Sequence, residues 1–114
     1  MPWPWQRNGP GYGPRIIPEI GKKYRVARVI LPHGKTVPNF ETLFAVCEVP
    51  INCIIELYND QGQMANLGWG GLVRNNSNIV FGIEYHGKAV RGCLLVEDGE
   101  IYAIIFNIIR QPLF

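Results

Sequence analysis

Charge and long apolar runs are both scarce in this chain. Charged residues make up 18% of its 114 residues, whereas hydrophobic residues make up 47%. That balance excludes an intrinsically disordered chain, which combines few apolar residues with many charges. No apolar run approaches the roughly 20 residues that a transmembrane helix needs, so we expect no membrane span. A chain of this length buries about two thirds of its extended surface, which is enough for one domain with a core.

Cysteine and histidine are also few. The three cysteines, Cys47, Cys53 and Cys93, are odd in number and show no Cys-x-x-Cys spacing. We interpret them as reduced core thiols. With only two histidines, and nine carboxylates spread mainly over turns, the sequence offers no acid-base pair, activated nucleophile or metal-ligand set. It therefore predicts a protein that is not an enzyme and that holds no metal and no cofactor.

Proline and glycine concentrate at the N-terminus, where residues 1–20 contain five prolines and three glycines. Such a composition builds neither a helix nor an interior strand. We therefore predict an extended Pro/Gly/Trp-rich arm over 1–20 and a single β domain over 21–114. The arm also lacks the continuous apolar stretch of a secretory signal, so we expect an intracellular location, for instance within a virion or another large assembly.

After the arm, apolar residues alternate with polar ones at a period of two, which predicts strands. The clearest case is 78–86, where Ile79, Phe81 and Ile83 point to one side. The same pattern and the turn signals between segments predict strands over 23–31, 51–59, 63–73, 90–96 and 101–109. The predicted fold is mainly β, an antiparallel sandwich or small barrel with room for one short helix.

One segment is ambiguous between helix and strand. Phe40, Leu43, Phe44 and Cys47 fall on one helical face behind Asn39, which is a favourable N-cap residue. The valines of 39–49 favour a strand instead, and we predict a strand here.

The last predicted strand, 101–109, is apolar on both faces. A sheet with one face in water does not accommodate this pattern. Either the strand lies centrally between two layers, or its outer row of Tyr102, Ile104, Phe106 and Ile108 contacts another subunit. We favour subunit contact, because a single-layer barrel would leave this row exposed.

Charge is distributed unevenly along the chain. Residues 1–40 hold seven basic residues and one acid, a net charge of +6, whereas 41–114 hold four basic residues and eight acids, a net charge of −4. The basic arm of one subunit can thus lie on the acidic body of the next. The alternative that the arm folds back on its own domain stays open. The residues predicted to contact a partner are Trp3, Trp5, Arg7, Tyr12 and Arg15.

These features predict a structural subunit that self-associates, or docks on a larger complex, through its arm and its C-terminal strand. Virion accessory, connector and decoration proteins are examples of this role. A second interpretation is a small barrel that binds single-stranded nucleic acid through Lys22, Lys23, Tyr24, Arg25 and Arg28, although the total charge is only +2. A third is an oligomer that binds a small ligand near Trp69, Glu84 and His86.

Overall fold

The computed structural model describes residues 16–37, 39–85 and 87–110, and of these Arg110 is described by its backbone only. The elements follow in the order β1 (Lys23–Ile30), a 3-10 turn (Pro32–Gly34), α1 (Phe40–Val46), β2 (Ile51–Tyr58), β3 (Met64–Asn75), β4 (Asn78–Tyr85), β5 (Lys88–Glu97) and β6 (Glu100–Arg110). Each strand pairs antiparallel with the next, and β6 pairs with β1. The predicted mainly β, antiparallel architecture is confirmed as a closed six-stranded barrel.

The prediction of a strand over 39–49 is wrong, because this segment forms α1. The Asn39 side chain caps the helix by accepting a hydrogen bond of 2.8 Å from the Thr42 backbone N–H. Leu43 and Cys47 lie one turn apart and are fully buried, so the helix closes one end of the barrel. The valines that favoured a strand do not oppose this helix: Val46 is its last residue, and Val49 lies beyond it.

Residues 16–22 cross the opposite end of the barrel. Ile16 is 4% exposed, and its carbonyl oxygen accepts a hydrogen bond from the Tyr85 hydroxyl at the end of β4. The Gly21 N–H donates to the Ile105 carbonyl of β6 at 2.6 Å. The last residues of the predicted arm therefore contact the barrel, whereas residues 1–15 lie outside the described part of the chain.

Side chains fill the barrel interior. All six strands contribute fully or nearly fully buried apolar residues, including Val29, Leu57, Leu67, Leu72, Phe81, Val90, Leu94 and Ile105. Gly92 faces inward opposite Phe81, its partner in the β4–β5 register. A Cβ atom at Gly92 would clash with the backbone carbonyl oxygen of Ile104 and would lie 2.5 Å from Cζ of Phe81, so this glycine makes room for both the neighbouring strand and the ring.

A β-bulge changes which residues of β6 face the core. Arg91 of β5 pairs with Asn107 and the next residue, Gly92, pairs with Ile105, so Phe106 is the extra residue. Before the bulge Ile105 is fully buried, and after it Ile108 packs against the core. The predicted outer row is therefore interrupted: Tyr102, Ile104 and Phe106 remain outside, whereas Ile108 belongs to the inner side.

We expect Gly92→Ala to destabilise the barrel by about 1–3 kcal/mol, because the added methyl group meets the Phe81 ring in a filled core. Gly82→Ala is the matched control, since a Cβ atom there would meet nothing within 4 Å. Its effect should stay within about 0.5 kcal/mol. Urea unfolding of both variants measures the difference. Equal midpoints for Gly92→Ala and the wild type would contradict the tight packing.

Burial also perturbs two thiols. Desolvation raises the pKa of Cys47 to about 11 and that of Cys53 to about 12, from an ordinary value of 9.0. Above pH 9 the unfolded chain releases these protons while the folded chain retains them, so stability falls as pH rises. The free energy of unfolding should drop by up to about 1.4 kcal/mol per pH unit for each thiol.

Urea unfolding at about pH 8, 9 and 10 tests this expectation. The free energy of unfolding should change little from pH 8 to pH 9 and fall from pH 9 to pH 10. The matched variant Cys47→Ala/Cys53→Ala is expected to be less stable at pH 8, because it loses core packing, but to show a flatter decline above pH 9. Parallel declines for the two proteins would show that other groups control alkaline stability.

Candidate interaction surface

An apolar row crosses the outside of four strands. Val73 of β3 pairs with Val80 of β4, Val80 pairs with Cys93 of β5, and Cys93 pairs with Ile104 of β6. Their neighbours in sequence, such as Leu72, Ile79 and Leu94, point into the core. Outward positions of an antiparallel barrel in water are normally polar, so an apolar row in register is typical of an interaction surface.

Aromatic side chains extend this row along β6. Tyr102 pairs with Leu95 in the adjacent outward row, and Phe106, on the bulge, is 51% exposed. We call the combined surface the outer apolar face. Its members are Val73, Val80, Cys93, Leu95, Tyr102, Ile104 and Phe106. Three of the four β6 residues predicted to contact a partner therefore lie together on it, and Ile108 does not.

The predicted basic cluster lies along β1, and each of its four cations has a carboxylate within 4 Å. The closest pairs are Lys22–Asp60 at 2.9 Å, Lys23–Glu97 at 2.6 Å, Arg25–Glu100 at 3.6 Å and Arg28–Glu56 at 2.5 Å. These acids come from the loop after β2, from β2 itself and from the β5–β6 hairpin, so the fold joins distant parts of the sequence. Lys22 and Lys23 donate hydrogen bonds to the carboxylates of Asp60 and Glu97, and these bonds raise the pKa of both lysines, which keeps them charged.

The unequal charge along the sequence is thus balanced in space. The described residues hold nine of the eleven basic residues, all except Arg7 and Arg15, and all nine acids, so their net charge is zero. Tyr24, predicted to lie beside the cations, is only 4% exposed, and its hydroxyl donates to the Ile17 carbonyl. Its ring is therefore not presented to a nucleic-acid base.

We expect the full-length chain to bind a single-stranded oligonucleotide weakly, with little salt dependence, because its β1 cations already have anionic partners. Replacing Glu56, Glu97 and Glu100 by Gln frees three cations and should raise the affinity at low salt about tenfold or more. Fluorescence anisotropy of a labelled oligonucleotide measures both. Tight, steeply salt-dependent binding by the wild type, lost in Lys23→Ala, would contradict this expectation.

The third predicted site does not form a cleft. Trp69 and Glu84 pair across β3 and β4 on the convex outside of the barrel, and Trp69 is 50% exposed. His86 lies outside the described residues, as do Trp3, Trp5, Arg7, Tyr12 and Arg15. Within the described ranges no three His, Cys, Asp or Glu side chains group as metal ligands.

Two surface depressions lie at the barrel ends. One, of about 240 Å³, is bordered by the Lys22–Asp60 ion pair and by Ile16. The other, of about 360 Å³, borders the stacked rings of Phe40 and Phe44, whose centroids are 5.9 Å apart. The first is lined largely by polar residues, but its charged members Glu19 and Asp60 already pair with Lys22. The lining of the second is mainly apolar.

No protein-family model, curated protein or solved structure matches this chain. The helix of the described residues is too short to cross a membrane. Any function must therefore be inferred from the surface features above.

Proposed function

We propose that this protein is a non-enzymatic assembly subunit that binds a second copy of itself through the outer apolar face. The observation that carries the proposal is the apolar row Val73–Val80–Cys93–Ile104, continued by Tyr102 and Phe106. The proposal extends to a larger assembly, in which contact between two copies is the first step.

The composition of the face supports protein contact. Aromatic residues are enriched at the energetically dominant positions of interfaces, and the face carries two. Phe106 is half-exposed, and Tyr102 carries the Lys23 ammonium 4.9 Å from its ring centroid. Apolar surface of this kind gains free energy when a partner removes it from water. The arm residues Trp3, Trp5, Arg7, Tyr12 and Arg15 remain predicted contacts that add to this face.

The electrostatics favour a second copy as the partner. Because the whole chain carries a net charge of only +2, two copies approach without the repulsion that a strongly charged protein meets with itself. An apolar face is also self-complementary in chemistry, as a two-fold symmetric contact requires. The other interpretations lack comparable support, because the barrel interior is filled and the β1 cations are paired.

Phe106→Glu tests the proposal. A carboxylate within the contact should weaken self-association by about 30-fold or more, the effect of losing a dominant interface residue. Met64→Glu is the matched control, because Met64 is 46% exposed at the start of β3, away from the outer apolar face. Light scattering over a range of concentrations should give a wild-type and control mass above the 12.9 kDa monomer.

The thiol of Cys93 offers a second test of self-association that needs no substitution. It lies in the apolar row and is partly exposed, whereas Cys47 and Cys53 are buried. The labelling rate of Cys93 by a thiol reagent should therefore fall as protein concentration rises. A mass of 12.9 kDa at every concentration, with a constant labelling rate, would overturn the proposal.

A further inference from the structure

Two glycines face each other on the outside of the barrel without an internal reason. Gly71 of β3 pairs with Gly82 of β4. A Cβ atom at Gly82 would meet nothing within 4 Å, and one at Gly71 would meet only the Ile51 carbonyl oxygen at 3.6 Å, an ordinary contact. Neither residue has a positive φ. Glycine weakens a strand, so this pair stands where another side chain would be more stable.

The pair leaves a notch in the outer surface. Val73 and Val80 border it on one side, and Arg91, which pairs with Gly82, borders it on the β5 side. We call these five residues the glycine notch. The notch has a volume of about 290 Å³, and Arg91 is the one charged residue among the described residues of its mainly apolar lining. It is therefore large enough to receive one aromatic side chain.

The chemistry of the notch favours an aromatic ring. Aromatic side chains pack over glycines in β-sheets and compensate for the missing side chains. Arg91 is exposed and, among the described residues, has neither a carboxylate in ion-pair range nor a ring beneath it. Arg25 and Arg74, by contrast, each lie over an aromatic ring, at 4.0 and 4.7 Å from its centroid. Arg91 is thus placed to stack on a ring that enters the notch.

We propose that the glycine notch of one copy binds the indole ring of Trp3 or Trp5 from a second copy. This inference rests on the proposed self-association and names the site that receives the N-terminal segment. Residues 1–15 contain both tryptophans, together with Pro2 and Pro4, and they lie outside the described chain. Rigid, flat side chains flanked by proline lose little entropy on docking, which suits an anchor.

The N-terminal segment is long enough to reach the notch of its own barrel or that of a neighbouring one. Ile16 is held by Tyr85, three residues along β4 from Gly82, which is about 10 Å. A proline-rich chain advances about 3.1 Å per residue, so Trp5, eleven residues before Ile16, reaches about 34 Å. Because the segment can reach both notches, the assignment to a second copy rests on the proposed self-association, and mixing variant chains separates the two cases.

Gly82→Val tests the site by filling the notch. It should weaken self-association of the full-length chain about tenfold while leaving the thermal midpoint unchanged or raised, because valine is a better strand residue than glycine. Asn66→Val, another outward and exposed β3 position, is the matched control and should leave association unchanged. Trp3→Ala/Trp5→Ala should weaken association as much as Gly82→Val, and combining them should add little.

Mixing the two defective full-length chains separates contact between copies from contact within one chain. A Gly82→Val chain still offers its tryptophans, and a Trp3→Ala/Trp5→Ala chain still offers its notch, so the mixture should associate more tightly than either alone. No recovery on mixing would overturn the inference. If wild-type chains associate and neither variant weakens that association, the notch inference is overturned, but the proposal for the outer apolar face is not. The Phe106→Glu variant tests the outer apolar face separately.

Discussion

The barrel closes where β1 pairs with β6, and the rest of the structure depends on this short pairing. Only Lys23, Tyr24 and Arg25 pair with β6, opposite Ile104, Ala103 and Tyr102. Ion pairs reinforce β1 on both sides: Lys23 and Arg25 contact the β5–β6 hairpin, and Arg28 contacts Glu56 of β2. These exposed pairs are individually weak because water screens them, but together they orient β1 between two strands. The cations that the sequence offers as a nucleic-acid site therefore lie in ion pairs that accompany the closure of the barrel.

Closure determines where function can reside. A six-stranded barrel has a narrow interior, and here a large ring such as Phe81 fits only because Gly92 lacks a side chain. α1 covers one end, and residues 16–22 cross the other. Because side chains fill the barrel interior, the outer surface is the part of the described structure to which the proposed recognition is assigned. The apolar row on β3 to β6 is the feature of that surface which internal packing does not explain.

Alternation and turn residues in the sequence predict much of this fold, but contacts between distant parts of the chain could not be predicted. Alternation located all six strands to within about two residues, and Asp98-Gly99 forms its predicted turn with positive φ values of 51° and 79°. The fold prediction allows one short helix, but the sequence assigns 39–49 to a strand because its valines outweigh the Asn39 cap, and the structure forms the helix there. The bulge at Phe106 moves Ile108 to the inner side, and the partner of Lys23 lies 74 residues away. Neither feature follows from a local sequence pattern, so only the β6 part of the outer apolar face could be proposed from the sequence.

The outer apolar face and the glycine notch share Val73 and Val80, so a partner covering one borders the other. This continuity constrains the symmetry of the proposed assembly. If two copies meet face to face about a two-fold axis, each presents its notch beside the other's barrel, and each N-terminal segment can reach across. The exchange is then reciprocal and closes a dimer. A head-to-tail contact would use the notch of one copy and the segment of the next without burying both apolar faces together. Reciprocal exchange buries more of the apolar surface, so a closed dimer is the arrangement that these features favour.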